Sequence, residues 1–309
     1  MNQNNTVISV NGLEKSYKNI KVLKDVNFRV EKGSIFALLG SNGAGKTTAI
    51  KILTTLINPD RGSAKICGFD VVDKAYEVRG KISLTGQYAA VDGILTGREN
   101  LRMIGKLRHI KDVNKKVDEL LEKFKLQNAA DRPVSTYSGG MRRRLDISMS
   151  LLGNPSVIFL DEPTTGLDPQ SRIAMWNIIR EFSSSGITVF LTTQYLEEAE
   201  QLADQIAILN KGKIVAEGTP SELKRLLPKG HIDLRFNNDK DIESALELLN
   251  EYKTSLDTNN QTISVSTDGS IKQMTDMLKK LENAEIEVAE LAQKLPTLED
   301  VFLKIVEAN

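Results

Sequence analysis

The sequence predicts an α/β fold: a mostly parallel sheet covered by helices on both faces, followed by a small second α/β unit. Three observations carry this. Short apolar runs at residues 34–39, 157–160 and 187–192 have the composition of strands buried on both faces. Stretches with helical spacing, such as 46–57 and 169–183, follow or separate those runs. Strands alternating with helices give a parallel sheet, because each helix returns the chain to the same end of the sheet.

The elements follow in order. Residues 7–30 alternate apolar and polar side chains, with turn signals at Asn11-Gly12 and Lys18-Asn19, and read as short N-terminal antiparallel strands. Residues 34–39 run into a glycine-rich loop, and the helix over 46–57 is stopped by Asn58-Pro59. Residues 92–152 are mostly helical by apolar spacing and rich in Lys and Arg. Asn210-Lys211-Gly212-Lys213 reads as a hairpin turn between strands at 205–209 and 213–216. A second unit begins near Pro228-Lys229-Gly230, so the expected domains are 1–228, with a helical subdomain over about 92–152, and 229–309. Strands at 231–236, 262–266 and 285–290 alternate there with helices at 241–252, 270–283 and 297–306. That order makes a small α/β domain, for which a ferredoxin-like arrangement is one candidate.

The bulk numbers narrow the function classes. With 309 residues, 40% apolar and 27% charged, the chain is ordinary globular material rather than a disordered polymer. Lys plus Arg and Asp plus Glu number 41 each, so the overall balance implies no nucleic-acid partner. The single cysteine, Cys67, excludes an intrachain disulfide and reads as a small core residue in a reducing compartment. Residues 1–5 are polar and lack the apolar core of a secretory signal. The longest uncharged run, 182–196, falls short of the ~18–20 apolar residues of a membrane helix. If the chain works at a membrane, another polypeptide supplies the spans.

Gly40-Ser41-Asn42-Gly43-Ala44-Gly45-Lys46-Thr47 fits G-x-x-x-x-G-K-[ST] between an apolar strand and a helix. Glycines let backbone N–H groups turn inward as an anion nest, and the helix N-terminus adds its positive end. Lys46 brings a full charge to the β- and γ-phosphates of a nucleotide, Thr47 offers a hydroxyl to Mg²⁺, and Thr48 beside it is the last of the expected nucleotide-binding residues of this run. Downstream, the apolar strand Val157-Ile158-Phe159-Leu160 delivers Asp161, suited to hold Mg²⁺, and Glu162, suited to orient and deprotonate an attacking water. Alone, this acidic pair reads equally well as a turn after a core strand; the upstream loop favours nucleotide hydrolysis. A GTPase reading fails, because its Asn-Lys-x-Asp motif would need aspartate where Lys213 stands.

A third signal points to a family. Tyr137-Ser138-Gly139-Gly140-Met141, opening a helix with Arg142, Arg143 and Arg144, resembles the Leu-Ser-Gly-Gly-Gln signature of ABC transporter nucleotide-binding subunits. Physically, Ser138, Gly139 and Gly140 make a second helix N-terminus fit for a γ-phosphate. The resemblance implies that this phosphate belongs to ATP held on the other subunit of a head-to-tail pair. Met141 departs from the pattern and cannot supply the glutamine amide. The arginine run reads as a solvated helix face.

Other positions match residue by residue. Tyr17 matches the aromatic that stacks on adenine, although alone it reads as a half-buried strand tyrosine. Gln87 matches the glutamine that touches Mg²⁺ or water and links the site to the helical subdomain. Asp168, in Thr165-Gly166-Leu167-Asp168, matches the loop that crosses the dimer interface, and also fits as the N-cap of the helix from Pro169. Gln194 stands where the family usually has a histidine on the γ-phosphate. Its amide still donates a hydrogen bond but carries no proton or charge, so the catalytic burden falls on Glu162. The histidines, His109 and His231, fall outside every motif.

The resemblance covers about residues 6–228. The runs at 137–144 and 192–200, with Leu298-Glu299-Asp300-Val301-Phe302-Leu303, are similar to ATPase subunits of daunorubicin-resistance-type exporters. Alone, the last segment is a plain amphipathic closing helix. The resemblance implies ATP and Mg²⁺ as cofactors, and a second ATPase subunit as partner. Every motif is present in one chain, so a homodimer is expected. It also implies a separate transmembrane permease and a cytoplasmic position on the inner face of the membrane. The rival readings are an importer ATPase, a non-transport ABC ATPase acting on ribosome or DNA, and an idle regulatory subunit. Intact Lys46, Asp161 and Glu162 argue against the last.

Overall fold

The computed structural model describes residues 5–227, 230–267, 270–294 and 296–307. Met1–Asn4 of the polar N-terminus and the Pro228-Lys229 boundary signal lie outside the described residues. The chain divides into two compact units, one reaching Pro220 and the other starting at Ser221. Among the described residues, no helix is long and apolar enough to cross a membrane.

In the first unit β1 (Thr6–Tyr17) and β2 (Ile20–Glu31) form a long antiparallel ribbon around Lys18-Asn19. Asn11-Gly12, expected to be a turn, lies inside β1. The ladder slips between Val10 and Leu13, and the Gly12 amide donates to Asn27 Oδ1 at 2.7 Å, which makes this a bulge in one strand. Next come β3 (Ile35–Leu39), α1 (Lys46–Leu53), β4 (Arg61–Ile66), β5 (Phe69–Asp70), α2 (Ala75–Arg79) and β6 (Ile82–Thr85). Helix α1 ends short of the expected 57. Thr55 turns left-handed (φ 63°), and the Leu56 amide reaches back to the Lys51 carbonyl at 2.8 Å, closing the helix before Asn58-Pro59 acts.

The helical segment holds α3 (Gly97–Leu107), α4 (Val113–Lys123) and α5 (Gly139–Ser150). Helix α3 opens on a capping box between Thr96 and Glu99. Then follow β7 (Val157–Asp161), α6 (Pro169–Ser184), β8 (Thr188–Thr193), α7 (Leu196–Leu202), β9 (Gln205–Asn210) and β10 (Lys213–Gly218). Strands β9-β3-β8-β7-β6 are parallel neighbours in that order, with β10 antiparallel to β9 at one edge. The expected hairpin turn is present between β9 and β10, with Lys211 and Gly212 both left-handed. A second, antiparallel sheet runs β2-β1-β4-β5. The core includes Phe28, Phe36, Phe190 and Phe159, whose rings pack in that order with centroids 5.2–5.3 Å apart. Cys67 is half-buried at its margin.

Helix α8 (Pro220–Lys224) opens the second unit, which also holds β11 (His231–Arg235), α9 (Asp239–Leu248), β12 (Thr254–Asp257), β13 (Thr262–Ser266), α10 (Ile271–Asn283), β14 (Glu290–Lys294) and α11 (Leu298–Glu307). Its sheet, β12-β13-β11-β14, is wholly antiparallel, the ferredoxin-like order. Ile232 and Leu234 of β11 face Ile242, Ala245, Met277 and Leu281 of the helices. The sequence missed β12 and placed the last strand too early. Residues 285–288 instead close α10: Glu285 is left-handed (φ 54°) and the Ile286 amide donates to the Leu281 carbonyl at 3.0 Å.

Candidate functional site

The phosphate loop joins β3 to α1, and its shape is enforced by backbone packing. At Gly40 a Cβ would stand 2.4 Å from the Leu209 carbonyl oxygen of β9. At Gly45, left-handed at φ 114°, it would meet Leu23 Cδ2 at 2.8 Å and the Val22 carbonyl oxygen at 3.0 Å. Ser41, Asn42 and Gly43 form an exposed rim over a buried floor of Ala44, Gly45 and Lys46. Lys46, 5% exposed, donates from Nζ to the carbonyls of Gly40 at 2.8 Å and Ser41 at 3.1 Å. Thr47, exposed, and Thr48, half-buried, follow it in the first turn of α1.

The wholly buried strand β7 carries Asp161 to its carboxyl end. Asp161 Oδ1 accepts from Thr192 Oγ1 at 2.5 Å and from Thr47 Oγ1 at 3.5 Å, so two of the three sequence-predicted magnesium residues, Thr47 and Asp161, stand in direct contact. Glu162, 9% exposed, adopts a left-handed backbone (φ 48°), a strained choice for a residue with a Cβ. Its amide donates to the Thr192 carbonyl at 3.1 Å. Its Oε1 lies 3.4 Å from Lys46 Nζ, while Oε2 accepts from Gln87 Nε2 and Thr165 Oγ1, both at 3.3 Å. One carboxylate thus gathers the phosphate loop, the Gln87 loop and the turn after β7.

Gln194 follows β8 directly. The Gly40 amide donates to the carbonyl of Thr193, which sets the Gln194 loop beside the phosphate loop at 3.2 Å between those backbones. Among the described residues no hydrogen bond engages the Gln194 side chain, which is half-buried. Tyr17 ends β1 with its ring 45% exposed. Asp60 braces that strand end, accepting from Lys15 Nζ at 2.7 Å and the Ser16 amide at 2.6 Å.

Ser138 caps α5, accepting from the Met141 amide at 3.3 Å, and is exposed together with Gly139. Beneath it Tyr137 is buried and donates to the Ala129 carbonyl at 2.6 Å. Asp168 caps α6 through the Ser171 hydroxyl at 2.6 Å and amide at 2.9 Å, and these bonds hold its carboxyl below the usual carboxylate range. Among the described residues, no hydrogen bond joins Ser138, Gly139, Gly140 or Asp168 to residues 40–48. The fold brings Lys46, Thr47, Gln87, Asp161 and Glu162 together and leaves Ser138 and Gly139, at the second glycine-rich helix start, facing solvent.

The arginine run departs from the expected solvated face. Arg142 is exposed and Arg144 half-buried, but Arg143 is only 5% exposed. Its guanidinium donates to the carbonyls of Pro163 at 2.9 Å, Gly86 at 2.6 Å and Asp161 at 3.4 Å, and lies 3.4 Å from Asp146 Oδ2. Burial pushes the Arg143 pKa down against the pull of Asp146. Burial likewise raises the Asp146 carboxyl to about 6, with Arg143 opposing. The overlooked signal is spacing: Gly140, Arg143, Asp146, Ile147 and Ser150 share one helix face, which is buried. Sequence reasoning also passed over Thr192 and Glu198. The buried Glu198 carboxylate accepts from Thr164 Oγ1 at 2.8 Å and Trp176 Nε1 at 3.2 Å.

Comparison with known proteins fits this geometry. Residues 23–165 match the family described as "ABC transporter", and residues 218–306 match "ATP-binding protein DrrA1-3-like, C-terminal domain". The chain is 43% identical to the daunorubicin resistance ATP-binding protein DrrA3 of Streptomyces coeruleorubidus, over 97% of this chain and 96% of that one. It is 42% identical to the doxorubicin resistance ATP-binding protein DrrA of Mycobacterium tuberculosis, over 98% and 94% of the two chains. Among solved structures, an ATP-binding subunit of an ABC transporter superposes with a TM-score of 0.65 at 30% identity, covering 71% of this chain and 92% of that one. The chain is therefore an ATPase of the ABC transporter ATP-binding subunit family, in the branch of the daunorubicin- and doxorubicin-resistance proteins.

Proposed function

We propose that the chain drives export of drug-like, antibiotic or lipid-like molecules as one half of a two-copy clamp, with Glu162 as the base that activates water. The observation that carries this reading is the convergence of Lys46, Gln87 and Thr165 on the Glu162 carboxylate. Tyr17 stacks on adenine; residues 40–48 wrap the phosphates through backbone N–H groups, with Lys46 on the β- and γ-phosphates. Asp161, Thr47 and Gln87 are the oxygen donors that would hold Mg²⁺. Their hard, sparse donor set suits an ion that keeps waters and takes phosphate oxygens, and no cluster of three acidic, His or Cys ligands exists among the described residues. When bound, Mg²⁺ supplies charge neutralisation at the phosphates.

Hydrolysis then needs only positioning and one proton transfer. Glu162 accepts a proton from water as its oxygen bonds to the γ-phosphorus and the bond to the bridging oxygen breaks, leaving ADP and phosphate. Gln194 donates its amide to the γ-phosphate. The exposed Ser138 and Gly139 at the start of α5 support a second copy, whose γ-phosphate the Ser138-Gly139-Gly140 helix start would meet while Asp168 lines the interface. A groove of about 290 Å³ between β6, α3 and α5, lined by Leu84, Ile104, Leu107, Asp146 and Met149, supports docking of a separate permease on the cytoplasmic face. The drug-resistance names of the relatives support the cargo class.

Recovery of the tagged chain from gently solubilised membranes tests the proposal. We expect a multi-span membrane protein to co-purify and to raise ATP turnover when daunorubicin or doxorubicin is added. Recovery with ribosomes or DNA alone would remove the transport reading.

A further inference from the structure

We infer that Arg143 is a positioning residue of the hydrolytic site, holding the Glu162 backbone and the Gln87 loop in register through a single guanidinium. The inference rests on the reading of Glu162 as the base. Arg143 sits one turn into α5, the helix that opens with Ser138-Gly139-Gly140. Its three carbonyl acceptors belong to the residues on either side of Glu162, Asp161 and Pro163, and to Gly86, the neighbour of Gln87. Gln87 in turn bonds Glu162 Oε2 at 3.3 Å. The guanidinium therefore bonds the backbone on both sides of the candidate base and the backbone next to its hydrogen-bond partner.

Three physical points favour positioning over simple burial. First, Glu162 is held left-handed at φ 48°, a conformation that persists only where neighbours over-determine it. Bonds to the flanking carbonyls at 161 and 163 do that. Second, the contacts need a planar fork of donors aimed in several directions, which arginine has and lysine lacks. Third, a nearly buried charge is costly unless it is matched, and here carbonyl dipoles and the Asp146 carboxylate at 3.4 Å match it. A shift of the signature helix therefore moves the frame of the base. That gives a mechanical path, inside one subunit, from the face that meets the partner's ATP to the subunit's own water-activating residue.

The test uses the full chain with Arg143→Gln and Arg143→Lys, each alone and combined with Glu162→Gln. Turnover is read under steady-state and single-turnover conditions, with ATP affinity and melting temperature in parallel. We expect Arg143→Gln to lower kcat by about tenfold to a hundredfold, because small misplacement of a reacting group costs that much. ATP affinity should stay within about threefold, and Arg143→Lys should recover part of the loss. In the Glu162→Gln background, adding Arg143→Gln should change residual turnover by less than about twofold, since what Arg143 positions is already gone. A kcat near wild type, a parallel loss of affinity, or a full further drop in the Glu162→Gln background would each overturn the inference. If Arg143→Gln fails to fold, Arg143→Lys carries the same comparison. Undiminished turnover in Glu162→Gln alone would instead remove the base itself, whatever Arg143 variants do.

Discussion

Replacing Glu162 by glutamine separates chemistry from binding, and the two effects have opposite signs. Lys46 divides its donors among the carbonyls of Gly40 and Ser41 and the Glu162 carboxylate 3.4 Å away. An arriving γ-phosphate competes with Glu162 for that ammonium and is repelled by the same carboxylate. A hydrogen bond to a charged group is worth about 1.5–3 kcal/mol, and tenfold in affinity is about 1.4 kcal/mol. Glutamine has the same shape, keeps an oxygen for Gln87 and Thr165, and removes the charge. ATP affinity should therefore hold or tighten, by up to about tenfold, and an ATP-bound dimer should accumulate. Turnover should fall about a hundredfold to ten-thousandfold, the range expected for loss of a general base. Single-turnover phosphate release, fluorescent-nucleotide titration and size-exclusion chromatography with ATP read the three quantities. Turnover within tenfold of wild type would remove Glu162 as the base. Affinity weakened more than tenfold would mean that the carboxylate builds the pocket rather than competing for Lys46.

Gln194→His should keep turnover within about tenfold of wild type in steady-state assays, because both side chains donate one hydrogen bond to a phosphate; abolished turnover would show that the position tolerates only the amide. Tyr17→Ala should raise KM for ATP by about five- to a hundredfold with kcat little changed, as stacking on a base is worth about 1–3 kcal/mol, whereas Tyr17→Trp stays near wild type; an unchanged KM in Tyr17→Ala would refute the stacking role. Asp146→Asn should alter the pH dependence of stability. The folded-state carboxyl titrates at about 6 instead of 3.8, so between those values only the unfolded chain ionises and the wild-type fold loses about 3 kcal/mol, a deficit that persists above 6. The melting temperature of the variant should therefore gain on wild type from pH 3.8 to 6 and run parallel above; parallel curves throughout would refute the burial argument.

What was legible in the sequence is what local chemistry dictates. A phosphate nest needs small residues and a lysine at fixed spacing before a helix, and Asp161-Glu162 need a strand to deliver them, so all were readable as strings. Arg143 was not. Its acceptors lie at 86, 161 and 163, and a helix carries no mark of which far-off carbonyls its side chains will meet. The residues at 285–288 show a different failure: Ile286 and Val288 look strand-like, yet Ile286 is half of a helix cap that needs an apolar residue. Strand β12, with Ser255, Leu256 and Asp257 exposed, has no buried alternation to announce it.

The close approaches at Gly40 and Gly45 bear on protein engineering. The octapeptide reads as a self-contained string, yet two of its positions are pressed against carbonyls that it does not own: Leu209 in β9 and Val22 in β2. The same Val22 carbonyl would stand 2.4 Å from a Cβ at Gly212, in the β9–β10 hairpin. The mould therefore lies outside the cast part. Grafted onto another strand and helix without β2 and the hairpin, the eight residues would be free to open; kept with them, the loop's curvature should outlast wide change in its neighbours' side chains.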